Sequence, residues 1–406
     1  MRIHRNLNYY YSKIIYLLIF PGFIFKFIDN ILQLRRPSLL FWFICCIAVF
    51  FLLKKSHLKS CLYFIFYLLI ILLSFNLTNN KIPIENFIYV IILYNLLPFL
   101  IGLTFETKYI NIYLILKALV NLNILALIYC IFENYLTVSV DRSLLQSHSS
   151  GLHDITIAFE IGNLFGAFLC ITFYLLVISK NSLKIQLEYF SYASISLIIL
   201  IFFGSRTSLF SALLIIAIII IIKIKEINIY FIILLLLIAF SNLIFISEDR
   251  LIFLLEFNRL YENLFGNYSC DLGEGGSFAA HLTLYKEAIR LFIENPFFGI
   301  GVGNYGYRYC GYSIDLASPH SILLQLLVES GMTVFIPTLI FLAFIFVKTI
   351  IFIKNGPINY SIIGILYAYI FFQLQFSGNL YIDFHYYIIL GLFINLLNSH
   401  RTFGNR

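Results

Sequence analysis

The sequence has few charged residues. Only 12% of its 406 residues are Asp, Glu, Lys or Arg, whereas 61% are hydrophobic, and the mean hydropathy is +0.93. A soluble domain carries about 25% charged and ~45–50% apolar residues, so this composition excludes a soluble fold. The net charge of +7 does not indicate nucleic acid binding, because the basic residues form short clusters between apolar runs and report membrane topology.

Motifs that bind metals are also missing. The seven cysteines contain no CxxC pair and form no cluster with histidine, which argues against a structural zinc site. The scattered aspartates contain no DxD motif, the metal–diphosphate arrangement of soluble sugar-nucleotide transferases. We therefore expect no metal and no cofactor. Cys270 and Cys310 fall in one long polar loop, and they can pair if that loop faces an oxidising compartment.

What the chain does contain is long apolar runs, which predict an all-α, polytopic integral membrane protein with about 12 transmembrane helices. The N-terminal run has no small-residue cleavage site, which predicts an uncleaved first span. The predicted spans cover residues 12–28, 38–53, 58–77, 83–103, 109–132, 155–178, 188–204, 206–222, 228–246, 332–352, 359–376 and 384–398.

Positive charge sets the predicted orientation. With a cytoplasmic N-terminus, the cytoplasmic segments hold fifteen Lys or Arg residues against five on the short outer loops, so both termini are predicted to be cytoplasmic. Residues 1–246 then form about nine spans, residues 247–319 form one large periplasmic loop with short helices, and residues 320–406 hold the His320 helix and the last three spans. Loops of this length are usually functional or disordered, and the helical periodicity within this one favours function.

The large loop contains the glycine-rich sequence GIGVGNYGYR at residues 299–308. A Rossmann fingerprint requires a third glycine where this chain has Asn304, and it requires a preceding strand. The preceding segment is instead predicted to be a helix that ends at Asn295-Pro296. We therefore expect the glycines to allow close backbone packing rather than nucleotide binding. The predicted apolar face of that helix consists of Leu282, Tyr285, Ile289, Phe292 and Ile293.

A second short helix is predicted from SPHSILLQLLVESG, residues 318–331. Ser318 would be its N-cap, Pro319 its first residue and Gly331 its end. His320 would then lie in the first turn. The helix has one polar stripe on an apolar background, which predicts a position at the membrane face or along a polar cavity. The stripe consists of Ser321, Gln325 and Glu329.

Together these segments resemble the signature of the O-antigen ligase and polymerase superfamily, bacterial membrane enzymes that build surface polysaccharide. The shared pattern is P-x-x-G-x-G, a variable stretch, H-N or H-S, apolar residues and E-x-G. An arginine that opens a span is also shared, and Arg206 in GSRTSLFSALL matches it. The motifs cover about a fifth of the chain. One position departs from the family, because His281 stands where an arginine is common.

The resemblance implies glycosyl transfer from a glycan on undecaprenyl pyrophosphate, at the periplasmic face and without a metal. Fixed cations must then stabilise the leaving pyrophosphate, a role that suits the planar guanidinium group of arginine. Arg206 is the first candidate; a topological anchor is the alternative. Arg290 and His281 are further candidates, although Glu287 and Glu294 are placed to hold Arg290 in a surface ion pair.

His320 is the candidate general base, because imidazole has a suitable pKa for proton transfer near neutrality. Glu329 is either a second base or a residue of the polar stripe. Tyr305, Tyr307 and Tyr309 alternate, so we expect them to share one face of an extended segment and to offer rings to glycans or to the membrane.

The predicted function is an O-antigen polymerase of the bacterial inner membrane. Its partners would be undecaprenyl-pyrophosphate-linked oligosaccharides and membrane lipids, with a chain-length regulator and a flippase beside it and no nucleic acid. Two alternatives stay open. One is the ligase that transfers glycan to lipid A-core, and the other is a transporter of lipid-linked glycan, although the chain lacks the internal repeat typical of transporters.

Overall fold

The computed structural model describes residues 57–76, 88, 91–104, 153–178, 183–202, 206–226, 277–308, 318–378 and 383–404. Regular structure in this part of the chain is entirely helical, which confirms the all-α prediction. A π-helical turn, Ile91–Leu96, and a 3-10 turn, Ile224–Glu226, accompany the α-helices. We number the α-helices α1 Leu58–Asn76, α2 Leu97–Thr104, α3 His153–Ile178, α4 Leu183–Phe202, α5 Arg206–Lys223, α6 Ser277–Glu294, α7 Tyr305–Arg308, α8 Ile322–Asn355, α9 Ile358–Ser377 and α10 Phe384–Gly404.

Three of the described helical segments are long and apolar enough to cross a membrane, namely Thr207–Glu226, Ile322–Asn355 and Ile358–Phe376. The helices α6 and α7 lie within the predicted loop 247–319, so that segment does carry short helices. The division of the chain at residues 246 and 319 and the total of about twelve spans remain predictions. Four predicted spans (12–28, 38–53, 109–132 and 228–246) and both Cys270 and Cys310 lie outside the described residues.

Polar side chains inside the apolar helices bond to their own backbone. The hydroxyls of Thr338 and Thr349 in α8 each donate to the carbonyl oxygen four residues earlier. Thr172 in α3 does the same. An unsatisfied polar group in hydrocarbon is costly, and this local bonding removes the cost. Apolar spans can therefore bury hydroxyls without a partner helix.

Helix α9 is central among the described helices, because it packs against α3, α5, α8 and α10. Its Tyr367 is fully buried, and the ring stacks on Phe393 of α10 with a centroid distance of 5.5 Å. Helices α2 and α10 cross at Gly102 and Gly391, where an added β-carbon on either glycine would overlap the backbone of the other helix. Small residues allow such close crossings in membrane proteins.

Two contacts fix which helix ends lie together. Asn398 near the end of α10 donates to Ser60 at the start of α1 with a distance of 2.9 Å. The ammonium of Lys223 at the end of α5 donates to the carbonyl of Lys354 at the end of α8 at 2.9 Å. This end of the bundle is rich in lysine, and we call it the basic end. The other ends of these helices, including the start of α5 and of α8, lie at the opposite end.

Candidate functional site

The glycine-rich loop and a break in α8 bind each other through their backbones. Gly331 has φ 65° and ψ −173°, so the helical path stops there and resumes at Met332. A broken helix leaves carbonyls before the break and N–H groups after it without helical partners. The N–H groups of Ile300 and Gly301 donate to the carbonyls of Val328 and Glu329, both at 2.9 Å. In return, the N–H groups of Met332 and Thr333 donate to the carbonyls of Pro296 and Phe297.

Glycine is required where these two segments touch. Both Gly299 and Gly331 have positive φ angles, 72° and 65°. A β-carbon on Gly331 would overlap the carbonyl of Phe297, and one on Gly299 would overlap the backbone of Glu329. The sequence prediction that the glycines allow close backbone packing is therefore confirmed.

His320 precedes α8 instead of lying in its first turn. The predicted helix start at Ser318-Pro319 is wrong: α8 begins at Ile322, with Ser321 in an extended conformation as its N-cap. The physical reason is the backbone of His320, whose φ of 53° cannot continue a right-handed helix. Its N–H faces the Ser318 hydroxyl oxygen at 3.4 Å. The imidazole is half-buried, so part of it remains accessible.

Gln375, near the end of α9, joins the start of α8 to the outer-loop helix α6. Its side-chain oxygen accepts from the Ser321 hydroxyl at 3.2 Å and from the Leu323 N–H at 3.3 Å. Its backbone carbonyl accepts from the phenol of Tyr285 in α6 at 3.1 Å. Burial raises the pKa of Tyr285, which keeps this phenol protonated as a donor. Sequence reasoning missed Gln375, because nothing in the local pattern shows that α9 ends beside α8.

Arg206 is the first residue of α5, and its side chain lies outside the described part of the structure. Two contacts locate this helix start. Ser208 donates to the Asn163 side-chain oxygen in α3 at 2.8 Å. Two residues further along α5, the ring of Phe210 packs edge-on against Phe376 of α9 at 5.0 Å. Phe376 follows Gln375 directly, so the starts of α5 and α8 meet the same end of α9. We call Arg206, His320, Ser321 and Gln375 the helix-end cluster.

Glu329 lies at the break in α8 and is almost fully buried, with 1% of its surface exposed. Its carboxylate accepts from the N–H of Tyr305 at 3.3 Å. The rest of the predicted polar stripe, Ser321 and Gln325, is buried too. The stripe therefore faces the protein interior. Glu329 thus belongs to the buried polar stripe, where its carboxylate holds Tyr305, the first residue of α7, against α8.

Arg290 in α6 is held by two carboxylates. Its guanidinium forms a two-pronged pair with Glu287, in which both hydrogen bonds measure 2.7 Å, and it also binds Glu294. Glu287 is 1% exposed whereas Arg290 is 50% exposed, so the pair shields a buried acid with a surface cation. The predicted alternative of an ion pair within α6 is thus present. His281 lies in the first half of the same helix, and its side chain is outside the described part.

The buried face of α6 differs from the prediction. Leu284, Ala288 and Leu291 are buried against Ile300, Tyr305 and Val328. Ile289 and Ile293, which were predicted to share the apolar face, are 48% and 69% exposed. The ion pair explains the difference, because Glu287 lies on the buried side of α6 and the guanidinium of Arg290 covers its carboxylate. Beyond α6, Phe297 and Phe298 are exposed as well, so this side of the helix and loop is apolar and open.

The prediction of an extended tyrosine strip is wrong at its start. Residues Tyr305–Arg308 form the helical turn α7, in which residues two apart do not share a face. Tyr305 is fully buried, and its hydroxyl donates to the Leu284 carbonyl at 2.7 Å. It is a packing residue of the loop in this structure, and its ring is not open to a glycan. The side chain of Tyr307 and all of Tyr309 lie outside the described residues.

The helix-end cluster combines features that suit the binding of an anion and the transfer of a proton. Two helices, α5 and α8, begin there, and helix N-termini carry partial positive charge. An arginine opens one of these helices, and a half-exposed imidazole precedes the other. Within the part of the chain that the structure describes, no three His, Cys, Asp or Glu side chains are grouped so as to hold a metal ion.

Comparison with known proteins adds one match. Residues 191–339 match the model of a family described as O-antigen ligase. No curated protein matches the chain. The matched segment runs from α4 into α8, and it contains Arg206, Arg290, His320 and Glu329. This match supports the resemblance seen in the sequence, and it covers both the predicted arginine-opened span and the His320 segment.

Proposed function

We propose that the protein is an O-antigen polymerase, which joins undecaprenyl-pyrophosphate-linked repeat units on the periplasmic face of the inner membrane. The match of residues 191–339 to the O-antigen ligase family supports a membrane enzyme of the glycosyltransferase kind that acts on lipid-linked glycans. The observation that carries the proposal is the helix-end cluster. It brings two helix N-termini, an arginine and a histidine to one end of an apolar bundle.

The proposed reaction transfers the growing glycan to a hydroxyl of the incoming lipid-linked unit. The bond between the sugar and the pyrophosphate oxygen breaks as the acceptor oxygen bonds to the anomeric carbon. His320 takes the proton of the acceptor hydroxyl, and the pyrophosphate leaves on its lipid. Arg206 and the starts of α5 and α8 stabilise the negative charge of the leaving group. No metal takes part in this scheme.

The roles of the other candidates follow from their surroundings. Glu329 positions the glycine-rich loop, because its carboxylate is buried and holds Tyr305 N–H. Arg290 is engaged by Glu287 and Glu294, which offset its positive charge, so we assign the main diphosphate contact to Arg206 and not to Arg290. Tyr307 and Tyr309 are retained as glycan contacts, and His281 as a second cation when protonated.

The second candidate function is an O-antigen ligase, the activity by which the matching family is described. The two activities share the donor and differ in the acceptor. A polymerase uses a lipid-linked repeat unit, whereas a ligase uses lipid A-core. The helix-end cluster serves either reaction.

Lipopolysaccharide from a deletion strain separates the two on a gel. We expect core carrying one repeat unit, which is the product when polymerisation alone is lost. Bare core with accumulated lipid-linked polymer would assign the ligase activity instead. An unchanged ladder would contradict both functions.

A further inference from the structure

A cavity of about 950 Å³ lies between α1, α8 and α10. Its walls are mostly apolar, with Phe64 of α1, Leu342 of α8 and Leu390 of α10 among them. Ile322 and Ile351 of α8 both line it. Ile322 is the first residue of α8 and Ile351 lies four residues before its end, so lining residues occur on both sides of the break at Gly331. The cavity therefore extends along most of the length of α8.

One end of the cavity is polar and basic. Lys59 and Lys348 line it there, together with Ser60, Asn398 and Ser399. Each ammonium lies over an aromatic ring that also lines the cavity, Lys59 over Tyr63 at 5.8 Å and Lys348 over Phe344 at 5.6 Å. Among the described lining residues there is no carboxylate to neutralise the two lysines. This part of the cavity belongs to the basic end of the bundle, opposite the helix-end cluster.

We infer that the cavity binds an anionic phospholipid. The acyl chain lies along the apolar walls, and the phosphate lies between Lys59 and Lys348, where the two ammonium groups and the Ser60 hydroxyl offer donors. The size agrees with ligand cavities, which measure roughly 300–1,000 Å³. The charge selects an anionic headgroup over a zwitterionic one. This binding site is independent of the proposed function.

The position of the lysines also separates this lipid from the carrier of the proposed donor. A carrier whose pyrophosphate reached His320 would place its head at the opposite end of the bundle. The two lysines favour a lipid whose headgroup lies at the basic end. A phospholipid of the membrane leaflet at the basic end satisfies this requirement.

The test is lipid retention by the purified full-length protein, measured by native mass spectrometry in an equal mixture of dioleoyl phosphatidylglycerol and dioleoyl phosphatidylethanolamine. We expect wild-type protein to retain phosphatidylglycerol over phosphatidylethanolamine by roughly tenfold or more. The double variant Lys59→Gln/Lys348→Gln should lose this preference. The matched control is Lys184→Gln/Lys354→Gln, which removes two exposed lysines that do not line the cavity and should behave as wild type.

Chain length tests the apolar half of the site. Dihexanoyl phosphatidylglycerol has the same headgroup and should be retained much less than the dioleoyl form. Equal retention of both would overturn the inference, because binding would then depend on the headgroup alone. Equal retention of the two headgroups by wild-type protein would also overturn it. So would equal loss in both double variants, or a polyprenyl pyrophosphate as the retained lipid.

Discussion

At the scale of single residues, His320 combines two properties that a substitution can separate. Its side chain is only partly buried, and its backbone has a left-handed φ of 53°. Asparagine and histidine both occupy this region several times more often than other side chains, whereas alanine is strained there by about 1–2 kcal/mol. An effect of the imidazole can thus be distinguished from an effect of the backbone.

We predict that His320→Asn abolishes O-antigen elongation while leaving protein stability near wild type. The amide tolerates the backbone conformation but cannot act as a base near neutrality. His320→Ala should lose elongation and also lower the midpoint of thermal aggregation in detergent. The measurements are a lipopolysaccharide ladder and an aggregation curve for each variant. A wild-type ladder from His320→Asn would remove the imidazole from the reaction.

Gln375 acts through its neighbours, as a positioning residue. We predict that Gln375→Met reduces elongation more than tenfold, because it leaves the Leu323 N–H and the Ser321 hydroxyl without their acceptor. An unmet buried donor costs about 1–3 kcal/mol. Gln375→Glu keeps an acceptor oxygen and should restore part of the activity. Equal ladders from the two variants would show that the acceptor oxygen is not what matters.

The individual residues also show which features of the site could be predicted from the sequence. His320 and Glu329 were chosen because the family motif marks them; both lie at the interface of loop and helix, and their roles in catalysis stay predictions. Tyr305 was assigned to an exposed strip from alternation alone, yet burial and a bond to the Leu284 carbonyl make it a packing residue. Gln375 could not be found, because its partners are 50 or more residues away in the chain.

At the scale of elements, the break in α8 and the glycine-rich loop form one unit. Neither could be stable alone, since each supplies the backbone donors or acceptors that the other lacks. The sequence located the break correctly at Gly331 and ended α6 correctly before Pro296. It misplaced the start of α8, because Ser318 and Ser321 are both acceptable caps and only the φ angle of His320 decides between them.

This unit predicts a sharp difference between glycines. Gly331→Ala should destabilise the protein by more than about 1 kcal/mol and abolish elongation, because the added carbon meets the Phe297 carbonyl and the φ angle is unfavourable. Gly364→Ala in α9 is the matched control, since its φ angle is not positive and its nearest new neighbour is a side-chain methyl, that of Thr349, at 3.3 Å. The midpoint of thermal aggregation in detergent measures the stability of both variants. A Gly331→Ala protein as stable as the control would contradict the interlocked backbone.

At the scale of the whole molecule, the two ends of the bundle differ in charge and in role. Lysines mark one end, and the helix-end cluster occupies the other. The positive-inside rule predicts that the basic end is cytoplasmic, and on this prediction the proposed reaction takes place on the periplasmic face. The hydropathy of the sequence predicted most of the described helices but not their packing. It could not show that α2 and α10 cross at paired glycines or that α9 lies between four helices.

Orientation can be measured with single cysteines in a protein whose seven native cysteines are changed to serine. A membrane-impermeant maleimide should label Glu294→Cys from the periplasm, because this position is 52% exposed on α6. Lys354→Cys at the basic end should react only after the inner membrane is permeabilised. The reverse pattern would place the helix-end cluster in the cytoplasm and contradict the proposed substrate.

The most direct measurement is polymerisation by the purified protein in vitro. Lipid-linked repeat units would be supplied with EDTA present and with no lipid A-core. We predict a ladder of lipid-linked glycans from wild-type protein and a single unextended band from His320→Asn. Absence of a ladder from active wild-type protein until lipid A-core is added, or a ladder that requires a divalent cation, would contradict a metal-independent polymerase.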